Sequence, residues 1–115
     1  MTIPTPLNQF DRRFEELLKE VRDLHARKRH DYTGGGDPLA NYRATAEFAC
    51  KVLGITDVSP SHIMLLRMIE KAQRLLVLLH VPSHERADSE TLTDTCKDIA
   101  IIALLVAIAE EMDGS

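Results

Sequence analysis

Three carboxylates, Glu90, Asp94 and Asp98, recur at four-residue spacing, which on a helix stacks them in one line. Directly beyond them the chain is wholly apolar from Ile99 to Ala109, so the acidic line runs into what must be a dry interior. A second charged stripe, Arg67, Glu70, Lys71 and Arg74, sits at offsets of three, four and seven in an otherwise apolar segment. Charges grouped so tightly on a buried surface must pair with one another or face a water-filled cleft. Two chemistries fit. In the first, Glu70, Asp94 and Asp98 hold a hard divalent cation such as Mg²⁺, which binds through one or two carboxylates plus substrate phosphates, and serve as the catalytic acids. Lys28, Arg67, Lys71 and Arg74 then meet phosphate oxygens, and the combination suits a nucleotide. In the second, Lys71 with Asp98 and Arg74 with Asp94 are two ion pairs between neighbouring helices and carry no chemistry.

Four helices are needed to position these stripes. Pro4 and Pro6 end a flexible arm over residues 1–8, after which Phe10, Phe14, Leu17, Leu18, Val21, Leu24 and His25 mark one face of a helix from Leu7 to His30. Arg12, Glu15, Glu16, Lys19, Arg22 and Asp23 form its solvated face, and Lys28 lies on the apolar side, aimed at the interior. A glycine-rich loop over 31–37 follows, and Asp37-Pro38 reads as a cap and first turn for a second helix, Pro38 to Leu53, closed by Gly54. Ser59-Pro60 repeats the signal and starts a third helix, Pro60 to His80, with Met64 and Met68 in its core face. A linker over 81–88 leads to Ser89 as the cap of a fourth helix ending near Met112. That linker is short enough to make the third and fourth helices antiparallel neighbours, which sets Lys71 beside Asp98. The expected fold is a single-domain, all-α four-helix bundle.

Composition narrows the function classes. With 44% hydrophobic and 28% charged residues the chain has the mix of one globular domain. At 115 residues it offers little interior in which to bury a helix apolar on every side, so part of the fourth helix is expected to be covered by a second copy, in a homodimer or higher homo-oligomer built through helices three and four. A net charge of −4 argues against a duplex nucleic-acid binder. Cys50 and Cys96 stand outside any CxxC pair, which fits a reducing, cytoplasmic setting, and the Ile99–Ala109 run falls short of the roughly 18–20 residues a membrane span needs. The Gly34-Gly-Gly36 run lacks the Gly-Lys-Ser/Thr of a P-loop. His62, His80 and Gln73 fall on another side of the third helix from the charged stripe and read as surface or interface positions, while Tyr32 and Tyr42 could stack on a base.

Three blocks carry a resemblance: Lys28-x-x-Asp31-Tyr32-x-x-x-x-Asp37-Pro38-x-x-Asn41-Tyr42, then Arg67-x-x-Glu70-Lys71-x-x-Arg74-Leu75, then Asp88-Ser89-Glu90-x-x-x-Asp94-Thr95-x-x-Asp98. On these blocks the chain resembles the small all-helical phage family called nucleotide-modification-associated domain, and the match covers about residues 24 to 109. That family is similar in turn to the all-α nucleotide pyrophosphohydrolases of the MazG and dUTPase type, which cleave nucleoside triphosphates to monophosphate and pyrophosphate with Mg²⁺. The resemblance implies Asp94 and Asp98 as the acidic pair of the last core helix, Glu70 as a third acid, and Lys71 and Arg74 as phosphate holders. It also implies that Asp31, Tyr32, Asp37 and Asn41 form a loop closing over sugar or base. The chain departs from the MazG-like pattern in two places: Glu15, Glu16 and Glu20 do not have Glu-Glu-x-x-Glu spacing, and Thr95 stands where the first acid of a Glu-x-x-Asp pair would be. The expected function is therefore nucleotide binding in phage-type nucleotide metabolism, with Mg²⁺-dependent pyrophosphohydrolysis as its enzymatic form. The alternatives are a non-catalytic protein that sequesters a linear or cyclic nucleotide, as counter-defence sponges do, and a structural helical bundle.

Overall fold

The computed structural model describes residues 6–33, 36–82 and 89–113, with side chains described for 7–30, 36–82 and 92–112. Four helices follow in order: α1 (Pro6–Thr33), α2 (Ala40–Leu53), α3 (Pro60–His80) and α4 (Ser89–Asp113). The described residues form no strand, and the expected all-α four-helix architecture is what the chain adopts. No described helix is long and apolar enough to cross a membrane.

Two helix ends fall where their local chemistry puts them. Ser59 Oγ accepts the His62 N–H, and the Ser59 N–H donates to His62 Nδ1 at 3.0 Å, so the two residues close a reciprocal cap around Pro60 in the first turn. His62, placed at the surface by its spacing, is the second half of that cap. Gly54 ends α2 in the left-handed conformation at φ 68°, its N–H donating to Cys50 O at 2.9 Å. Two other boundaries move. The helix begins at Pro6, inside the arm expected over 1–8, and α1 runs on through Asp31 and Tyr32 to Thr33, where a loop was expected, because nothing before the glycines breaks it. α2 begins at Ala40, two residues later than Pro38, since Asp37 Oδ1 takes the Leu39 N–H at 2.9 Å and holds 37–39 as a turn before the helix. Residues 1–5 of the arm, Gly34 and Gly35 of the glycine-rich loop and 83–88 of the linker lie outside the described residues.

α3 packs most extensively on α4, with α2 against α3 and α1 against α4. The α3–α4 hairpin is antiparallel: Ser61 Oγ donates to Glu110 near one end, and Lys71 meets Asp98 further along. Met64, fully buried, sits among Leu39, Ile101, Ile102, Leu105 and Ala109, with Val21, Leu24, Tyr42, Met68 and Val106 packed around them. This is a small core. One chain leaves part of α4 uncovered, as its short length led one to expect: Leu104, Ile108 and Met112 are exposed, as are Phe10, Phe14 and Leu18 of α1. Only the Val21–Leu24 part of the α1 apolar face reaches the core, while Phe10 and Phe14 stack on each other at the free end.

Candidate functional site

Asp98 is the centre of the site. It sits one turn before Ile101 and Ile102, so α4 carries its carboxylate to the edge of the buried cluster. Lys28 Nζ of α1 donates to Asp98 Oδ1 at 2.7 Å, and Lys71 Nζ of α3 donates to Oδ2 at 3.2 Å. Two ammonium groups from different helices thus converge on one carboxylate whose side chain is only 17% exposed. Burial works to raise the Asp98 carboxyl, but the hydrogen bonds from Lys28 and Lys71, and then their charges, outweigh it and hold the group below the ordinary carboxylate value.

Around this triad lies a cleft of about 350 Å³ to which all four helices contribute. α1 supplies His25, Lys28 and Arg29; α2 and the turn before it supply Pro38, Asn41 and Tyr42. α3 contributes Arg67 and Lys71, and α4 contributes Asp98, Ile101, Ile102 and Leu105. α1 and α2 do not pack on one another among the described residues, which leaves the cleft open between them. Its lining has two characters. One part holds four cationic side chains against the single carboxylate of Asp98, in a chain whose net charge is −4; the other is apolar, with Tyr42, Pro38, Ile101, Ile102 and Leu105. Arg29 also reaches across to the glycine-rich loop, its Nε donating to Gly36 O at 2.9 Å.

Of the residues singled out in the sequence, Lys28, Asn41, Tyr42, Arg67, Lys71 and Asp98 line this cleft. Four do not. Glu70 is exposed and pairs with Arg67 at 3.5 Å along α3. Asp94 is also exposed; its cationic neighbour is Lys97 at 3.4 Å, where the hairpin register had suggested Arg74. Arg74 is exposed and lies outside the cleft lining. Asp37 is structural: the hydrogen bond from the Leu39 N–H, together with the Arg43 guanidinium, keeps its carboxyl below the usual range and pins the start of α2. The side chains of Asp31, Tyr32 and Glu90 lie outside the described residues.

The carboxylates do not fit the expected metal site. Among the described residues no three His, Cys, Asp or Glu side chains converge on a point where an ion could be held, and the one acid in the cleft is already engaged by two ammonium groups. Glu70, Asp94 and Asp98 therefore do not form the metal-holding trio that their spacing suggested. Sequence reasoning placed His25 only on the apolar face of the first helix and passed over Arg29, although His25, Lys28 and Arg29 stand at i, i+3 and i+4 and so share a face. No family model matches the chain, and comparison with curated proteins and with solved structures finds no match.

Proposed function

We propose that the cleft binds the phosphate groups of a nucleotide, with Lys28, Lys71, Arg67 and Arg29 meeting the phosphates and the apolar wall carrying the base. The observation that carries this reading is the convergence of Lys28 Nζ and Lys71 Nζ on the two oxygens of one carboxylate. Two ammonium groups that share an anion's oxygens are positioned to share a phosphate's, and charge-assisted bonds of this kind are about twice as strong as neutral ones. The lining supports a nucleotide over a simple anion. Tyr42 and Pro38 offer flat apolar surface beside Ile101 and Ile102, Asn41 offers an amide that can both donate and accept, and the volume lies at the small end of the range for ligand pockets, roughly 300–1,000 Å³.

In this reading the chain binds its nucleotide without a metal site of its own. It sequesters a nucleotide or nucleotide-derived signal in the manner of a phage-type nucleotide-binding protein; Mg²⁺ enters only as a companion of the ligand phosphates. The hydrolase form needs a set of converging acids, and one carboxylate flanked by two ammonium groups is a poor start for it. Mixing the full chain with a panel of ribo-, deoxyribo- and cyclic nucleotides, with and without Mg²⁺, and chromatographing the filtrate before and after heat denaturation tests this directly. The expected result is one nucleotide class depleted from the filtrate without Mg²⁺ and released unchanged on heating. Monophosphate and pyrophosphate appearing only with Mg²⁺ would transfer the chain to the pyrophosphohydrolases, and no depletion of any nucleotide would reduce Lys28, Asp98 and Lys71 to a brace between helices.

A further inference from the structure

The charges of the cleft also decide which form of a phosphate ligand it takes, a step that rests on the nucleotide reading above. Lys28, Arg29, Arg67 and Lys71 stand against one lining carboxylate, Asp98, and leave a surplus of positive charge. Two further acids lie beside these cations outside the lining, and both are engaged: Glu70 by Arg67 at 3.5 Å, Asp37 by Arg43 and the Leu39 N–H. Asp98 itself has a lysine on each oxygen, Lys28 Nζ at 2.7 Å from Oδ1 and Lys71 Nζ at 3.2 Å from Oδ2. Mg²⁺ bonds oxygen at roughly 2.0–2.1 Å, so an ion on either oxygen would stand no more than about 5 Å from the ammonium already there. At that range a doubly charged ion is repelled, and the two guanidinium groups of the lining add to the repulsion.

The ligand's own oxygens are the other place for the ion. An ammonium has three donors, and Lys28 and Lys71 each direct one at Asp98, which leaves two on each for phosphate. A phosphate oxygen that carries Mg²⁺ has already given lone-pair density and much of its charge to the metal. It is the charged, uncommitted acceptor that makes an N⁺–H···O⁻ bond short and strong. The donors of the cleft and the metal therefore contend for the same oxygens. We propose that the cleft selects the metal-free polyphosphate and that Mg²⁺ antagonises binding: the ion accompanies the ligand in solution and is shed on entry. The chain then takes up its ligand as free Mg²⁺ falls and releases it as free Mg²⁺ rises, a regulation that needs no second site on the protein.

The test is calorimetric titration of inorganic triphosphate into the full chain across a series of Mg²⁺ concentrations, with ionic strength held constant by K⁺ and the affinity of Mg²⁺ for the probe measured separately without protein. Only the metal-free fraction of the probe is competent, so the apparent affinity should fall in proportion to that fraction. The expected loss is about twofold where Mg²⁺ equals its dissociation constant for the probe, and about a hundredfold at a hundred times that value. Asp98→Asn should show the same proportional loss, because the contest is for the phosphate oxygens and not for this carboxylate. An affinity unchanged or raised by Mg²⁺ in the wild type overturns the inference and leaves the nucleotide reading standing. A loss in the wild type that vanishes in Asp98→Asn overturns it as well, since the ion would then act on the protein. Absence of probe binding at every Mg²⁺ concentration removes the nucleotide reading and this inference together.

Discussion

Replacing Asp98 by Asn should move stability and ligand affinity in opposite directions, a combination that separates an ammonium clamp from a metal site. The Lys28 pair at 2.7 Å is the more exposed, with the lysine side chain 40% accessible, so screening limits it to the surface value of ~0.5–1 kcal/mol. The Lys71 pair at 3.2 Å is more covered and falls between that value and the 3–5 kcal/mol of a fully buried pair, at about 1–2 kcal/mol. Together they predict a loss of about 2 kcal/mol in Asp98→Asn, a fall in Tm of about 6–10 °C for a chain of this size. The same substitution removes a negative charge one contact away from the proposed phosphate position. Between bulk water and a near-surface dielectric such a repulsion amounts to ~1–4 kcal/mol, so nucleotide affinity should rise at least about fivefold. The assay is thermal unfolding with and without the retained nucleotide, which should restore more of Tm in the variant than in the wild type. The gap also has a pH signature. A carboxyl held below its unfolded value of about 3.9 contributes stability that is complete above that pH and is lost as pH falls through the lower folded value. The Tm difference between wild type and variant should therefore be full at pH 7 and close only below about pH 4. A variant that is less stable and also binds nucleotide tenfold more weakly would refute the reasoning, since Asp98 would then contact the ligand or its metal.

Other substitutions test separate steps. Met64→Ala removes the one fully buried large side chain among the described residues and should cost ~2–5 kcal/mol in urea unfolding; a loss under about 1 kcal/mol would mean the core is not centred there. Gly54→Ala meets no atom within 4 Å but must hold φ 68°, so its cost should be the backbone term alone, about 1–2 kcal/mol, and a neutral result would contradict the left-handed cap. Glu70→Gln should leave nucleotide retention unchanged within about twofold, because Glu70 lies outside the cleft and bonds only weakly to an exposed arginine. A tenfold loss there would reinstate it as a site acid.

Much of the architecture could be read from short-range chemistry. Ser59-Pro60 and Gly54 mark helix ends that hold to the residue, since a cap or a positive φ depends on immediate neighbours. Counting back along the hairpin placed Lys71 on Asp98, and the apolar side of α1 delivered Lys28 to the same carboxylate. What misled was width. Arg67, Glu70, Lys71 and Arg74 look like one stripe by offset, yet Glu70 and Lys71, being consecutive, stand about 100° apart; one faces solvent and the other the cleft. Asp94 is likewise a full turn from Asp98, far enough to find Lys97 instead. The continuous apolar run of α4 marked it as a core helix but not which of its sides this chain would bury, because periodicity carries no information about what lies across from a face: Ile101, Ile102 and Leu105 are buried while Leu104 and Ile108 are exposed.

The most direct test of the cleft is calorimetric titration of inorganic triphosphate, a base-free probe, into the wild-type chain and into Lys71→Ala in the absence of divalent metal. One charge-assisted bond lost amounts to about 1.5–3 kcal/mol, so the account predicts saturable binding of one probe per cleft that weakens by roughly 10- to 100-fold in the variant. Equal affinity in the two proteins, or no binding to the wild type, would contradict it.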